Sequence, residues 1–179
     1  MLESVVGPLL YLISGFSLKL ADDSVDLGRG GLSGFALAVL FGAAYSSASL
    51  LGSDFSAYSV GVVLACVAAG KVDAPTHLAG LSAFSAGYLA TLLSGALPDG
   101  PVAIAAFASA LVDEVVSDAS DEGIISGMIG RAAAERPLLK LTALLLAAAG
   151  WCSVESAASV LLFDAAYSIA GRLRWGARI

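Results

Sequence analysis

Residues 32–52 read LSGFALAVLFGAAYSSASLLG and contain no charged side chain. A helix needs about 20 mainly apolar residues to cross the hydrocarbon core of a membrane, and this stretch has that length. The rest of the chain is similar, since 58% of its 179 residues are hydrophobic and only 13% are charged. Soluble domains carry about 25% charged residues, so the composition excludes an ordinary soluble domain.

Six further apolar segments of helical length lie around this stretch, separated by turns rich in glycine, proline and aspartate. We therefore predict an all-α fold, a polytopic membrane helical bundle of seven transmembrane helices that forms a single integral membrane domain over residues 1–179. Segment 119–136 is too short and too polar to cross, and it is predicted to lie at the interface as a cap or re-entrant piece. The predicted spans are 4–20, 32–52, 57–72, 78–97, 101–117, 138–151 and 154–172.

The basic residues predict the orientation of this bundle. The loops around 53–56, 98–100 and 152–153 contain no Lys or Arg, so the seven-span arrangement places every basic residue on the other side. Basic residues mark the cytoplasmic side, which predicts an outside N-terminus and an inside C-terminus. We expect a multi-pass protein of a prokaryotic plasma membrane. No basic run exists that would bind nucleic acid.

The first of two acidic clusters follows the first span. Asp22 and Asp26 are four residues apart and Asp23 is three before Asp26, so on a helix all three can face one cation. Because close carboxylates repel one another, the cluster favours a divalent metal, and Mg²⁺ binds carboxylates together with phosphate oxygens. Lys19 and Arg29 flank the cluster and are predicted to bind phosphate. The alternative is a hydrated helix end.

The second acidic cluster follows the fifth span. Glu114, Asp118 and Glu122 are four residues apart and form one stripe if the helix continues, with Asp113 at its start. The predicted metal ligands of the two clusters are Asp22, Asp23, Asp26, Asp113, Glu114, Asp118 and Glu122.

Three more residues complete the predicted site. Asp164 lies inside the last apolar run, and an acid within a membrane segment is a functional candidate by default. Lys71 and Asp73 end the third span, and they are predicted to contact substrate. The predicted catalytic residues are Asp22, Asp26, Asp113, Asp118 and Asp164.

The two Asp-rich clusters resemble those of the UbiA-type intramembrane prenyltransferases. Asp22, Asp23 and Asp26 end the first span, and Asp113 and Asp118 end the fifth, as in that family's pair of motifs. The resemblance implies Mg²⁺ and a prenyl diphosphate bound between the clusters, under a loop helix that 119–136 would supply. Gly30 stands where the family has its third Asp, and two helices are missing.

The sequence therefore predicts a Mg²⁺-dependent membrane enzyme that acts on a lipid (prenyl) diphosphate or phosphate at the cytoplasmic face, with a membrane lipid or lipid phosphate as its partner. The bundle is compatible with an oligomer. The alternative is a cation or proton-coupled transporter or channel in which intramembrane carboxylates bind the ion. A non-catalytic membrane subunit is a third hypothesis.

Overall fold

The structure is a computed structural model that describes residues 3–28 and 31–176. This part of the chain is all-α and contains no strand, which confirms the predicted class. Its helices are α1 (Glu3–Asp26), α2 (Leu32–Ala48), α3 (Ser53–Ala68), α4 (Pro75–Leu93), α5 (Gly100–Asp121), α6 (Gly127–Ala134), α7 (Pro137–Ala148) and α8 (Val154–Gly176), with a 3₁₀ turn at Ser49–Leu51.

Each predicted span overlaps one long helix, but the ends differ because local residues set them. Pro75 and Pro137 begin α4 and α7, positions where a missing N–H costs nothing. The Asp99 carboxylate accepts a hydrogen bond from the Val102 N–H and so caps α5. The helix α3 ends at Ala68, four residues before the predicted end of that span at 72, and Gly70 follows it with a φ of 73°.

Helix lengths bear on the predicted number of spans. Among the described residues, Val5–Asp26 and Leu32–Leu51 are long and apolar enough to cross a membrane, by length and composition alone. The apolar helices α3 and α7 are shorter. With 12 residues, α7 is only about 18 Å long, against about 30 Å of hydrocarbon.

The helices pack mainly in the spatial order α4, α2, α1, α8, α7, α5, α3. Glycine permits the closest approaches, since a Cβ at Gly42 would collide with the Gly80 carbonyl oxygen and one at Gly61 with the Ala103 carbonyl oxygen. Small residues at both positions therefore let the helix backbones pack closely. Although consecutive, α3 and α4 do not pack along their lengths.

The interior of the bundle is polar and aromatic, whereas much of its exterior is apolar. The Tyr11 hydroxyl donates to the Phe55 carbonyl oxygen at 3.2 Å, and the Tyr88 hydroxyl lies 3.0 Å from Ser56 Oγ. Large apolar side chains such as Leu93, Ile104 and Leu145 are instead exposed. The fully buried hydroxyl side chains include Tyr11, Tyr45, Tyr58, Ser14, Ser49, Ser56, Ser59, Thr91, Ser156 and Ser159.

Candidate functional site

The described side chains that the sequence predicts to form the site gather at one end of the bundle. We call this the charged end, and it comprises the ends of α1, α3, α5 and α8 and the starts of α4 and α7. Every basic side chain that the structure describes belongs to these termini or to α6: Lys19, Lys71, Arg131, Arg136, Lys140 and Arg172.

The opposite end is formed by the loops that the sequence shows to be free of Lys and Arg. There the Asp99 N–H donates to the Ser53 carbonyl oxygen at 3.0 Å. The Ser153 N–H donates to the Asp54 carboxylate at 2.8 Å. These contacts bring the loops after α2, α4 and α7 together. The described basic side chains and the loops without Lys or Arg therefore lie at different ends of the bundle.

The first acidic cluster is brought together in part. Lys19 Nζ lies 3.1 Å from Asp23 and 3.5 Å from Asp22, while His77 Nε2 lies 3.5 Å from Asp22. The other ring nitrogen of His77 lies 3.0 Å from Asp73. Asp26, the last residue of α1, is exposed and pairs with no described base, so it does not join this group. Arg29 lies outside the described residues.

The second cluster follows the predicted stripe for two of its three members. Lys71 forms an ion pair with Asp118, and its Nζ lies 3.8 Å from Glu114. Arg136 Nη2 lies 3.0 Å from the same Glu114 carboxylate. Glu122 immediately follows α5, is exposed, and pairs with no described base.

Asp113 has a structural contact that the sequence did not indicate. Its side chain is only 3% exposed, and its two carboxylate oxygens accept the N–H groups of Leu138 at 3.0 Å and Leu139 at 2.8 Å. These are the first free N–H groups of α7, because Pro137 before them has none. Asp113 therefore caps α7 from another helix, and its role as a metal ligand stays a prediction.

Asp164 is not an isolated acid. Lys140 Nζ lies 2.8 Å from its carboxylate, which is about one third exposed. Lys140 reaches Asp164 because the first turn of α7 packs beside the middle of α8. Lys71, the predicted substrate contact, binds Glu114 and Asp118 instead.

Two residues that we did not predict, Tyr167 and Arg136, connect the clusters. The Tyr167 hydroxyl donates to Asp22 at 3.0 Å, and its ring lies under Lys19 at 5.1 Å and under Arg136 at 5.8 Å. Because Arg136 also binds Glu114, the two acidic clusters belong to one polar network. The available signal for Tyr167 was its position three residues after Asp164, on the same helical face.

Arg136 is held in an unusual conformation. It immediately precedes α7 with a φ of 45°, the only positive φ of a non-glycine residue in the described chain, and such a conformation costs about 1–3 kcal/mol. Burial lowers the pKa of Arg136, but Glu114 and Tyr167 raise it by more, so that the pKa lies above its ordinary value. Arg136 is therefore a fixed positive charge between the clusters.

Two of the cavities in the described part of the bundle bear on the site. The first, about 260 Å³, opens at the charged end between α1, α8 and the start of α7. The second, about 400 Å³, is an apolar groove between α3 and α4, lined by residues such as Val63, Leu81 and Phe84. The linker that carries Lys71 and Asp73 joins these two helices at the charged end. The first cavity is lined by Lys19, Glu135, Arg136, Asp164, Tyr167, Ser168, Gly171 and Arg172.

The carboxylates occur in pairs around a basic group. Within residues 3–28 and 31–176, no three Asp, Glu, His or Cys side chains lie close enough to hold one metal ion. Mg²⁺ commonly uses one or two carboxylates and completes its shell with water and substrate phosphate. Two pairs meet that requirement: Asp22 with Asp23, and Glu114 with Asp118.

Segment 119–136 does not cross the bundle. Its short helix α6 packs on the end of α5, where the Ser120 hydroxyl donates to the Gly130 carbonyl oxygen at 3.0 Å. Its last residue, Arg136, reaches the network, so this segment contributes directly to the candidate site.

No protein-family model matches this chain, and no curated protein or solved structure matches it either.

Proposed function

We propose that this protein is a membrane enzyme that acts on a lipid phosphate or diphosphate at its charged end, with a divalent cation such as Mg²⁺. The observation that carries the proposal is the network in which Tyr167 and Arg136 connect the two acidic clusters. Such a site has carboxylates to bind a cation and positively charged side chains to bind a phosphate within one region. Electrostatic stabilisation of the leaving phosphate would be the main catalytic effect.

The distribution of apolar side chains supports a location in the membrane. Isolated apolar residues on a surface are normal, but a bundle with buried hydroxyl groups and many exposed leucines suits a hydrocarbon solvent better than water. We propose a multi-pass bundle in which α1 and α2 cross fully and the shorter helices pack against them. The charged end would face the cytoplasm, with the N-terminus outside.

The carboxylate pairs suggest how a cation would bind. Lys71 now lies between Glu114 and Asp118, and Lys19 lies near both Asp22 and Asp23. Either carboxylate pair would hold a divalent cation in place of the ammonium group, because such a cation carries twice the charge of a lysine. The ion, when bound, would polarise the phosphate oxygens.

The apolar groove supports a lipid as the substrate. Its volume of about 400 Å³ lies within the range of about 300–1,000 Å³ that is usual for ligand sites. It runs between α3 and α4, and the linker at the charged end of these helices carries Lys71. A hydrocarbon chain in this groove would place its headgroup close to the acidic clusters.

The transporter hypothesis has less support from these contacts. It requires an acid within the membrane that can exchange an ion or proton, and Asp164 was its main candidate. The Lys140 ammonium group lies 2.8 Å from that carboxylate and occupies the side on which an ion would bind.

Metal binding by variants tests the proposal. We expect the purified protein to bind Mn²⁺ in the presence of a prenyl diphosphate, and Asp22→Asn plus Asp118→Asn to abolish that binding. Asp121→Asn is the matched control, since this exposed residue also follows the fifth span but forms no ion pair with a described residue. Unchanged binding in the double variant would refute a site shared by the clusters.

Turnover is measured as release of phosphate or diphosphate from the same lipid in the same preparations. Metal-dependent release that the double variant loses and Asp121→Asn retains would support an enzyme. Ion flux in proteoliposomes that disappears in Asp164→Asn, without any release, would support the transporter instead.

A further inference from the structure

We propose that the cavity of about 260 Å³ at the charged end is the subsite for the phosphate group, with Arg172 and Ser168 as its principal donors. This inference rests on the proposed function and names the residues that would hold the anion. It differs from the sequence prediction, which placed phosphate on Lys19, Arg29 and Lys71. The cavity is lined by three basic and two acidic residues.

The acidic residues of the cavity are largely compensated. Asp164 is paired with Lys140, which adds a further positive charge beside the cavity. Glu135 is exposed, so water screens its charge. Two of the basic residues also have partners, because Lys19 binds Asp22 and Asp23, and Arg136 binds Glu114. Arg172 is the basic residue of the cavity that pairs with no described acid.

One face of α8 presents polar groups to the cavity. Asp164, Tyr167, Ser168, Gly171 and Arg172 are spaced by three or four residues and therefore follow one side of the helix. Gly171 keeps this side open, since a Cβ there would lie 3.3 Å from the Lys19 side chain. The Ser168 hydroxyl has no hydrogen-bond partner among the described residues. Ser168 and Arg172 thus offer donors one turn apart.

Arg136 forms the other wall and has donor capacity left. Its Nε is buried and has no hydrogen-bond partner among the described residues, while one of its terminal nitrogens binds Glu114. The surrounding structure holds its backbone in a strained conformation, and such conformations cluster at ligand sites. A phosphate in the cavity would bring several acceptor oxygens to a guanidinium group that now uses few of its five donors.

The size of the cavity suits a phosphate or diphosphate. Its volume of about 260 Å³ is many times the roughly 10–15 Å³ that a single water requires, so a group of several heavy atoms fits. The surroundings of Lys71 are less suitable in the absence of a metal, because Glu114 and Asp118 would repel an anion. We therefore expect the phosphate to bind near α8 and the cation to bind at the carboxylate pairs.

Binding of inorganic diphosphate to the purified full chain, without metal and in neutral detergent, tests this subsite. We expect Arg172→Gln to weaken the affinity by about tenfold or more, since a hydrogen bond to a charged group is worth at least that factor. Ser168→Ala should weaken it less. Arg131→Gln is the matched control, because Arg131 is an exposed arginine of α6 outside the cavity. Equal affinities in Arg172→Gln and Arg131→Gln would refute the subsite.

Two further measurements separate the possible outcomes. A prenyl phosphate in neutral nanodiscs should compete with diphosphate in the unmodified protein, which identifies a lipid headgroup; diphosphate binding without competition would identify a free phosphate and refute the lipid assignment. Mn²⁺ binding, measured without phosphate, should be unchanged in Arg172→Gln. Loss of Mn²⁺ binding only in Asp22→Asn plus Asp118→Asn, with full diphosphate affinity in Arg172→Gln, would refute the subsite and leave the proposed function intact.

Discussion

The two ends of the bundle stabilise carboxylates in different ways. At the charged end, Glu114 and Asp118 meet ammonium or guanidinium groups. At the opposite end, Asp54 accepts the N–H and hydroxyl of Ser153 at 2.8 and 2.6 Å, and Asp99 caps α5. Caps connect helices and need no other ligand, whereas ion pairs can exchange one cation for another. The charged end is therefore the functional candidate.

Asp113 shows that the position of a carboxylate does not decide whether it forms an ion pair or a helix cap. It lies at the charged end beside Glu114, yet it caps α7. Asp54 has a comparable structural contact, because it holds Ser153, whose hydroxyl caps α8. The difference between the ends therefore concerns the partners of each acid, and four stability measurements can test it. In each, unfolding of the purified protein in detergent gives the free energy of unfolding.

The largest effect is expected for the Glu114–Arg136 pair. Breaking a buried pair costs about 3–5 kcal/mol and an exposed one about 0–1 kcal/mol. Because Glu114 is 10% exposed and Arg136 34%, we expect Arg136→Ala to cost about 2 kcal/mol. Adding Glu114→Gln should recover part of this loss. A loss no larger than that of Arg131→Ala would show that the pair is not a buried one.

Asp113→Ala should cost about 1.5 kcal/mol, because two N–H groups of α7 lose a charged acceptor. Asp113→Asn should cost less, since its amide oxygen still accepts one of them. Asp121→Ala is the control, as that residue is exposed and caps no helix. If Asp113→Ala instead abolishes Mn²⁺ binding at little cost in stability, Asp113 belongs with the ion-binding acids.

Asp54→Asn should cost about 1 kcal/mol at pH 7, because Asp54 accepts two hydrogen bonds from Ser153, the residue that caps α8. Burial raises the pKa of Asp54, but the hydrogen bonds of Ser153 lower it by more, so the net shift is downward. The contribution of Asp54 is therefore present above its unfolded pKa of about 3.9 and is lost as the pH falls through its lower folded pKa. The difference in the free energy of unfolding between the two proteins should shrink below about pH 4. A constant difference would contradict an ionised Asp54 as the acceptor.

The smallest effect is expected for Lys71→Gln, below about 1 kcal/mol, because Lys71 and Asp118 are both more than one third exposed. Salt should reduce the effect further, since it screens exposed charges. The difference in the free energy of unfolding between the unmodified protein and Asp54→Asn should not depend on salt. A large, salt-independent cost for Lys71→Gln would mean that this ion pair is structural and does not exchange with a cation.

Much of the fold could be predicted from local patterns. The uncharged stretch 32–52 contains α2, and prolines 75 and 137 begin two helices. The absence of Lys and Arg from alternate loops correctly indicated two unlike ends. The stripe of Glu114 and Asp118 follows from the helical period, and both residues bind Lys71. These features depend on residues close together in the chain, where hydropathy and periodicity act.

The partners of the acids could not be predicted in the same way. Lys140 and Asp164 are 24 positions apart, and Tyr167 and Asp22 are 145 apart, so their contacts depend on how α1, α7 and α8 pack. Helix packing and rotation are set by side-chain contacts across the whole bundle, such as the close approach at Gly42, and no local period encodes them. Local sequence thus specifies the helices and the end of the bundle at which their charged residues lie. Which acid pairs with which base is decided only when the helices pack and bring residues distant in the chain together.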